Sequence, residues 1–467
     1  MEEDEACGKT VPAQGTRRGS KNPAAVIKAG GGDERPPVRW LERSVAVLGA
    51  KRFGMEGIMM KDLYRRLREE SPVPRLAFYS GLTIELLMVI IDKSNYINPV
   101  EGYLFRLTFL LFACKLLLTR YEWREWALIF VMEAVGFISY RVTGANDIIR
   151  VVTFVAACKG IPLKEALKYT FYVTLAGCLA IVALAVTGVY GDISLTQVFG
   201  HESAETTRYI GEQAAEETRY TLGMGHPNAL SCMFFMLAAL GVYVWFDRMK
   251  WYSYLFLMIL NAGVYLLTRS KTSMLIATAY LCGACLFTFV KSLRKMTVFY
   301  ICGLLVFLLC IAFSVDAAVC AQRVREAQWN EFFYCNPRDN EHIVLLGKID
   351  RHINGRIISL TDSENNDGMI QTWSAFSSEN NMNYYFDMGW VKVFYRYGVI
   401  PGVLYVAANL LLLWRIWRRR DACGLALFVM FAVYTVVEAH LVSEYIGRNY
   451  LLMMMGCEAA FPENRKS

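Results

Sequence analysis

Residues 297–315 read TVFYICGLLVFLLCIAFSV, an uncharged stretch close to the ~20 apolar residues that an α-helix needs to cross the hydrocarbon core of a bilayer. Similar runs lie on both sides of it, at 76–92, 103–119, 126–140, 148–158, 169–190, 226–246, 251–268 and 272–290, then at 386–414, 422–441 and 449–461. A soluble core has no use for so many uninterrupted apolar runs. The chain of 467 residues is 55% hydrophobic and 19% charged, outside the usual balance of soluble domains. The expected fold class is all-α: a polytopic integral membrane helical bundle of about 12 transmembrane helices, with a long extracytoplasmic loop before the tenth.

The runs also set the domain plan. Residues 1–75 are polar, carry 15 Lys and Arg against 11 Asp and Glu, and read as a disordered basic cytosolic tail. The bundle covers 76–461, and 462–467 form a short cytosolic C-terminus. Lys and Arg collect in alternate connections: Arg120 and Arg124; Lys159, Lys164 and Lys168; Arg248 and Lys250; Lys291, Arg294 and Lys295; and Arg415, Arg418, Arg419 and Arg420. Short loops rich in cations stay cytosolic, so both termini are expected inside a cytoplasmic membrane. Two long segments, 191–225 and 316–385, then fall outside. The second is far longer than a connection requires and is expected to serve a site.

Several function classes are excluded. The basic excess, net +7, suits a membrane surface, and no nucleic-acid fold signature accompanies it. No P-loop, dinucleotide fingerprint or metal-ligand spacing is present, and the histidines at 201, 226, 342, 352 and 440 are too scattered to suggest a metal centre. No cofactor is expected. Most cysteines lie within apolar runs as small hydrophobes, while Cys320 and Cys335 share the long outer segment and are candidates for a disulfide.

Five polar constellations remain. Before the sixth run comes RYTLGMGHPNAL (Arg219–Leu230), where glycines allow a tight turn, Pro227 suits a first helical turn, and His226 and Asn228 flank exposed amides that favour an anion. The bland reading is a helix start; Arg219 strengthens the phosphate reading through bidentate contact. Arg269 and Lys271 sit in a short turn, either as interfacial anchors or as part of a pyrophosphate pocket. DRHINGRIISL supplies His352 and Arg356, and Asp387 opens the tenth run, as a base or as an ordinary interfacial acid at a helix start. Glu438, His440 and Glu444 cluster near the outer end of the eleventh run. Arg150 and Glu133 interrupt apolar runs, as an ion pair or as catalytic groups.

The order of these motifs resembles the O-antigen polymerase and O-antigen ligase superfamily: Arg219 with Leu222-Gly223-Met224-Gly225-His226-Pro227-Asn228, then Thr268-Arg269-Ser270-Lys271, then Asn354-Gly355-Arg356-Ile357, then Asp387 with Trp390 and Tyr397-Gly398-Val399-Ile400. The resemblance runs from about residue 76 to 461. It implies a helical bundle in which Arg219, Lys271 and Arg356 hold a polyprenyl-pyrophosphate donor and Asp387 opens the last motif. Two departures stand out: the family's T-G-S-R is Thr-Arg-Ser-Lys here, and its D-N is Asp387-Met388. Ligases of the superfamily carry a histidine ahead of the late helix, where this chain has Asp387, which tilts the expectation toward a polymerase.

The expected function is therefore metal-independent polymerisation of polyprenyl-pyrophosphate-linked repeat units at the outer face. Asp387, His352 and Glu438 are the candidate bases. Arg219, His226, Asn228, Arg269, Lys271, Arg356 and Arg150 are the candidate binding groups. The expected partners are the lipid-linked glycan, membrane lipids and a chain-length regulator. The competing readings are transfer of the glycan to another acceptor and transport of the lipid-linked glycan, although no repeated halves of the transporter kind are visible.

Overall fold

The computed structural model describes residues 72–94, 96–197, 217–333, 341–361, 367–378 and 386–461, within the unit Leu63–Ser467. Helices α1 (Val73–Lys93), α2 (Glu101–Leu117), α3 (Trp123–Thr143), α4 (Asp147–Ala157) and α5 (Leu163–Val186) lead to an antiparallel ribbon of β1 (Ser194–Gln197) and β2 (Glu217–Tyr220). There follow α6 (Pro227–Trp245), α7 (Trp251–Thr268), α8 (Lys271–Phe289), α9 (Thr297–Phe333) and α10 (Glu341–His352). The chain ends with α11 (Gly389–Tyr397), α12 (Val399–Arg419), α13 (Ala422–Val437) and α14 (Tyr450–Met454), the last widening into a π-turn over Met455–Ala460.

Every apolar run of the sequence forms helix over most of its length, as it must where lipid offers the backbone no hydrogen bonds. Large apolar side chains face outward without cover, Phe130 and Leu309 each 66% exposed, which only a lipid solvent tolerates over so many helices. The chain is an all-α, multi-pass membrane protein. Among the described residues eight helices are long and apolar enough to cross a membrane, fewer than the twelve expected. The shortfall is in α2, α4, α13 and α14. α4 has 11 residues, a rise of ~16 Å against a hydrocarbon core of ~30 Å, and α2 carries Glu101, Arg106 and Lys115. α2 packs one face on α1 and α4, and α13 is buried against α8 and α9.

The connections divide by charge. At one end of the bundle Lys159 pairs with Glu125 (2.5 Å), Lys164 and Arg294 with Asp247 (3.7 and 3.4 Å), and Arg419 with Glu458 (2.6 Å). These are the cation-rich turns of the sequence. The ribbon, α10, α11 and the segment 438–449 gather at the opposite end.

Two expectations about that opposite end are corrected. Residues 316–385 are not simply a loop. α9 runs on to Phe333, 37 residues in all, so it spans ~55 Å and projects well past a bilayer that ~20 residues would cross. Its projecting face, with Ala317, Ala318, Ala321 and Val324, packs against Ile343, Leu346, Ile357, Leu360, Phe386 and Met388 in a separate small core. The other correction concerns the tenth run, 386–414, which is two helices. Gly398 adopts φ 94°, and a Cβ there would stand 2.6 Å from the backbone of Phe376. The freed amides of Val399 and Ile400 bond to the carbonyls of Ser374 and Ala375 (2.8 and 3.0 Å), so an extended segment replaces a turn of helix.

The tail 1–75 lies outside the described residues except for 72–75. So do Arg208, Cys335, and parts of both expected outer segments.

Candidate functional site

Arg356 is the centre of the polar group at the projecting end. α10 stops at His352, and Asn354 and Gly355 take φ 60° and 70°, turning the chain back on itself. The fully buried Asp350 then accepts the Ile357 amide at 2.6 Å, and Ile357 enters the small core. Arg356 is thereby fixed between them, only 6% exposed. Its Nη2 donates to Glu438 Oε1 at 2.7 Å, while Nη1 lies 2.6 Å from Asp387 Oδ2 at an angle too poor for a hydrogen bond. Nε and Nη1 therefore have no hydrogen-bond partner among the described residues. Arg356 is thus a buried guanidinium ion-paired with two carboxylates, with its Nε turned to no hydrogen-bond acceptor among the described residues.

The two acids come from different elements. Asp387 lies between Phe386 and Met388, both buried in the small core, which leaves its own side chain turned to the solvent side and about a third exposed. Glu438 caps α13, with its amide on the carbonyl of Tyr434 (2.9 Å). Burial pushes its carboxyl up to about 7, against the pull of Arg356 and with the help of Asp387. An upward shift of this kind brings a carboxyl toward the range a general base needs.

His226 closes a third side. Gly223 and Gly225 both have positive φ, and the His226 Nδ1 accepts the Asn228 amide (3.2 Å), so RYTLGMGHPNAL is a capped helix start with Pro227 in its first turn. Burial, together with Arg219, Lys93 and Arg356, holds the His226 imidazole below its ordinary range, and only Asp387 opposes them. His226 thus lies within electrostatic reach of four of the charged groups here. Arg219 on β2 is held by Glu217 (2.6 Å).

Other expectations are met in part or not at all. The turn between α7 and α8 is anchored to the group, through Ser231 Oγ to Thr268 Oγ1 (2.7 Å) and through Ser273 beside Tyr434. Arg269 and Lys271 themselves are exposed and form no ion pair among the described residues. Arg269 holds a left-handed conformation, φ 56°, at the position where the resembled motif has glycine. His352 is exposed at the end of α10, bonded to the Lys348 carbonyl (2.7 Å), away from the acids. Arg150 does not pair with Glu133. It donates to the buried Glu85 at 2.9 Å beneath the Phe105 ring, and Glu85 also accepts from Thr108, so this pair ties α1, α2 and α4. Thr153 bonds Glu133 instead (2.8 Å).

The chain was compared with protein-family models, with curated proteins and with solved structures. It matches none of them.

Sequence reasoning named Glu444 but missed most of the second tier. Arg448 pairs with Asp92 and donates to Ser443 (3.1 Å); Arg396 joins Asp147 and Glu444 (both 3.1 Å); and Lys392 is buried within electrostatic reach of Arg396, Glu444, Arg448 and Asp387. Buried Asn449 bonds Tyr405 Oη and the Leu441 carbonyl. These bonds hold 438–449 as an irregular backbone segment packed within the protein, where its polar groups find partners. The one available signal was a charge at the edge of each apolar run, and that signal looks the same for an anchor and for a site residue.

Proposed function

We propose that this end of the bundle binds the phosphate groups of a lipid-linked oligosaccharide, and that the protein polymerises polyprenyl-pyrophosphate-linked repeat units at the outer face of the cytoplasmic membrane. The observation that carries the reading is Arg356: a buried guanidinium held between two carboxylates, with its Nε unbonded among the described residues, at the end opposite the cation-rich connections. By the distribution of short-loop cations that end faces away from the cytosol.

The geometry supports a division of labour. Donors of Arg356 meet the leaving pyrophosphate and neutralise charge as it develops there, with Arg219 and the amides around His226 on the same side. The acceptor hydroxyl loses its proton to Glu438, attacks the anomeric carbon from the face opposite the pyrophosphate, and the anomeric centre inverts. Asp387 orients Arg356. A metal or nucleotide sugar has no part in this scheme. Its weight rests on Glu438, whose burial keeps a proton exchangeable near neutral pH, more than on the better exposed Asp387.

Purified protein given lipid-linked repeat units tests the reading. A ladder of products without added acceptor, lost in Arg356→Ala and Glu438→Gln, is the expected result. Product only with a second acceptor points to a ligase. Movement of the intact lipid-linked unit across a vesicle membrane without new glycosidic bonds overturns the enzymatic reading in favour of transport.

A further inference from the structure

A second cluster of chemistry-bearing side chains lies on the projecting part of α9. Asp316 and Cys320 are four residues apart and share a helix face. α10 packs along α9 and brings His342, in its first turn, to that face. The His342 Nε2 is 2.9 Å from Asp316 Oδ2, and the Cys320 Sγ donates to Asp316 Oδ1 at 3.7 Å. One ligand atom from each residue lies within 4.8 Å of the other two. The thiol is free and buried, whereas the carboxylate and imidazole are partly open to solvent, 36% and 46% exposed.

An imidazole, a thiolate and a carboxylate are the three donor types that Zn²⁺ takes, at ~2.0–2.3 Å. Donors arranged tetrahedrally about such an ion stand roughly 3.3–3.8 Å apart; here two of the separations are 2.9 and 3.7 Å, and all lie within 4.8 Å. Hard ions such as Mg²⁺ and Ca²⁺ require oxygen donors and find only one side chain of that kind here.

We propose that Asp316, Cys320 and His342 bind Zn²⁺ through three protein ligands with one coordination position open, clamping α10 to the projecting part of α9. Binding displaces the thiol proton and leaves oxidation states unchanged. The clamp bears on the rest of the cap, because α10 runs directly into Asp350 and the turn that sets Arg356. The proposal does not rest on the function assigned to Arg356. The bland alternative is a surface histidine–aspartate pair beside an uninvolved thiol.

Purified full-length protein is incubated with Zn²⁺, dialysed and assayed for metal content, with Co²⁺ used in parallel as a spectroscopic probe. The expected result is one zinc per chain, a thiolate-to-cobalt charge-transfer band, and a higher thermal midpoint with zinc. Cys320→Ser should abolish the band, and Cys320→Ser or His342→Ala should abolish stoichiometric zinc, with unchanged helix content by circular dichroism. Arg356→Ala should bind zinc as the parent does, which separates this test from that of the transfer site. Zinc retained equally by the parent and by the Cys320→Ser and His342→Ala variants, or no zinc bound by the parent beyond the level of a Cys320→Ser, His342→Ala double variant, overturns the proposal.

Discussion

Removing Arg356 should uncouple two carboxylates at once, and the effect should depend on pH. In the intact protein the Glu438 carboxyl lies above its ordinary 4.5, at about 7, so its protonated form is favoured on folding. Its contribution to stability is therefore fully present below about 4.5 and is lost as pH rises toward about 7. Arg356 limits that loss by stabilising the ionised form at 2.7 Å. Arg356→Ala leaves a buried carboxylate uncompensated, an effect of about 3–5 kcal/mol when one partner of a buried pair is removed. The full cost should appear near pH 8, and a smaller one near pH 6, where Glu438 takes up a proton. Glu438→Gln removes the charge, so the Arg356→Ala, Glu438→Gln double variant should recover at least about 1.5 kcal/mol of the single-variant loss. Thermal or chemical unfolding in detergent at the two pH values measures this cycle. Additive single effects, or an Arg356→Ala penalty that is the same at pH 6 and pH 8, would refute the reasoning.

Other outcomes follow from the same geometry. Polymer formation should rise as pH passes about 7, where Glu438 loses its proton, and Glu438→Gln should remove that limb of the profile while Asp387→Asn keeps it; initial rates of ladder formation across pH decide this. Gly398→Ala should destabilise by more than about 1 kcal/mol, because the added Cβ meets the Phe376 backbone and left-handed φ is strained, whereas Gly263→Ala, which meets nothing, should be neutral or stabilising in the same melts. Arg150→Ala should cost about 3–5 kcal/mol by stranding Glu85, and Arg150→Ala with Glu85→Gln should cost less; equal melting of the two would remove the pair from the account.

How much could be read from the chain divides along physical lines. Burial in lipid demands local periodicity and length, so the helices were legible from apolar runs alone. Their extents were less so: hydropathy falls at Asp316, yet α9 continues because its alanine-rich face has a partner in Ile343, Leu346 and Ile357, far along the sequence. The break at Gly398 needs Ser374 and Ala375 as acceptors, and no local pattern announces them. The Arg356, Asp387 and Glu438 group was legible as a set of charges at one end. Its hierarchy was not, since only packing decides that Glu438 is mostly covered and His352 exposed. Arg150 found Glu85 rather than Glu133 for the same reason: both acids interrupt apolar runs, and the helix order in space chooses between them.

The overlong α9 makes a scaffold of the membrane itself. One unbroken rod is seated at its start beside the basic turn Lys291–Lys295 and carries the small core and the Asn354-Gly355-Arg356 turn on its far stretch. The height of that turn above the lipid is consequently set by the count of residues in a helix and by local bilayer thickness. A thicker membrane would draw the turn toward the headgroups and a thinner one would lift it away, making lipid chain length a mechanical setting of the site.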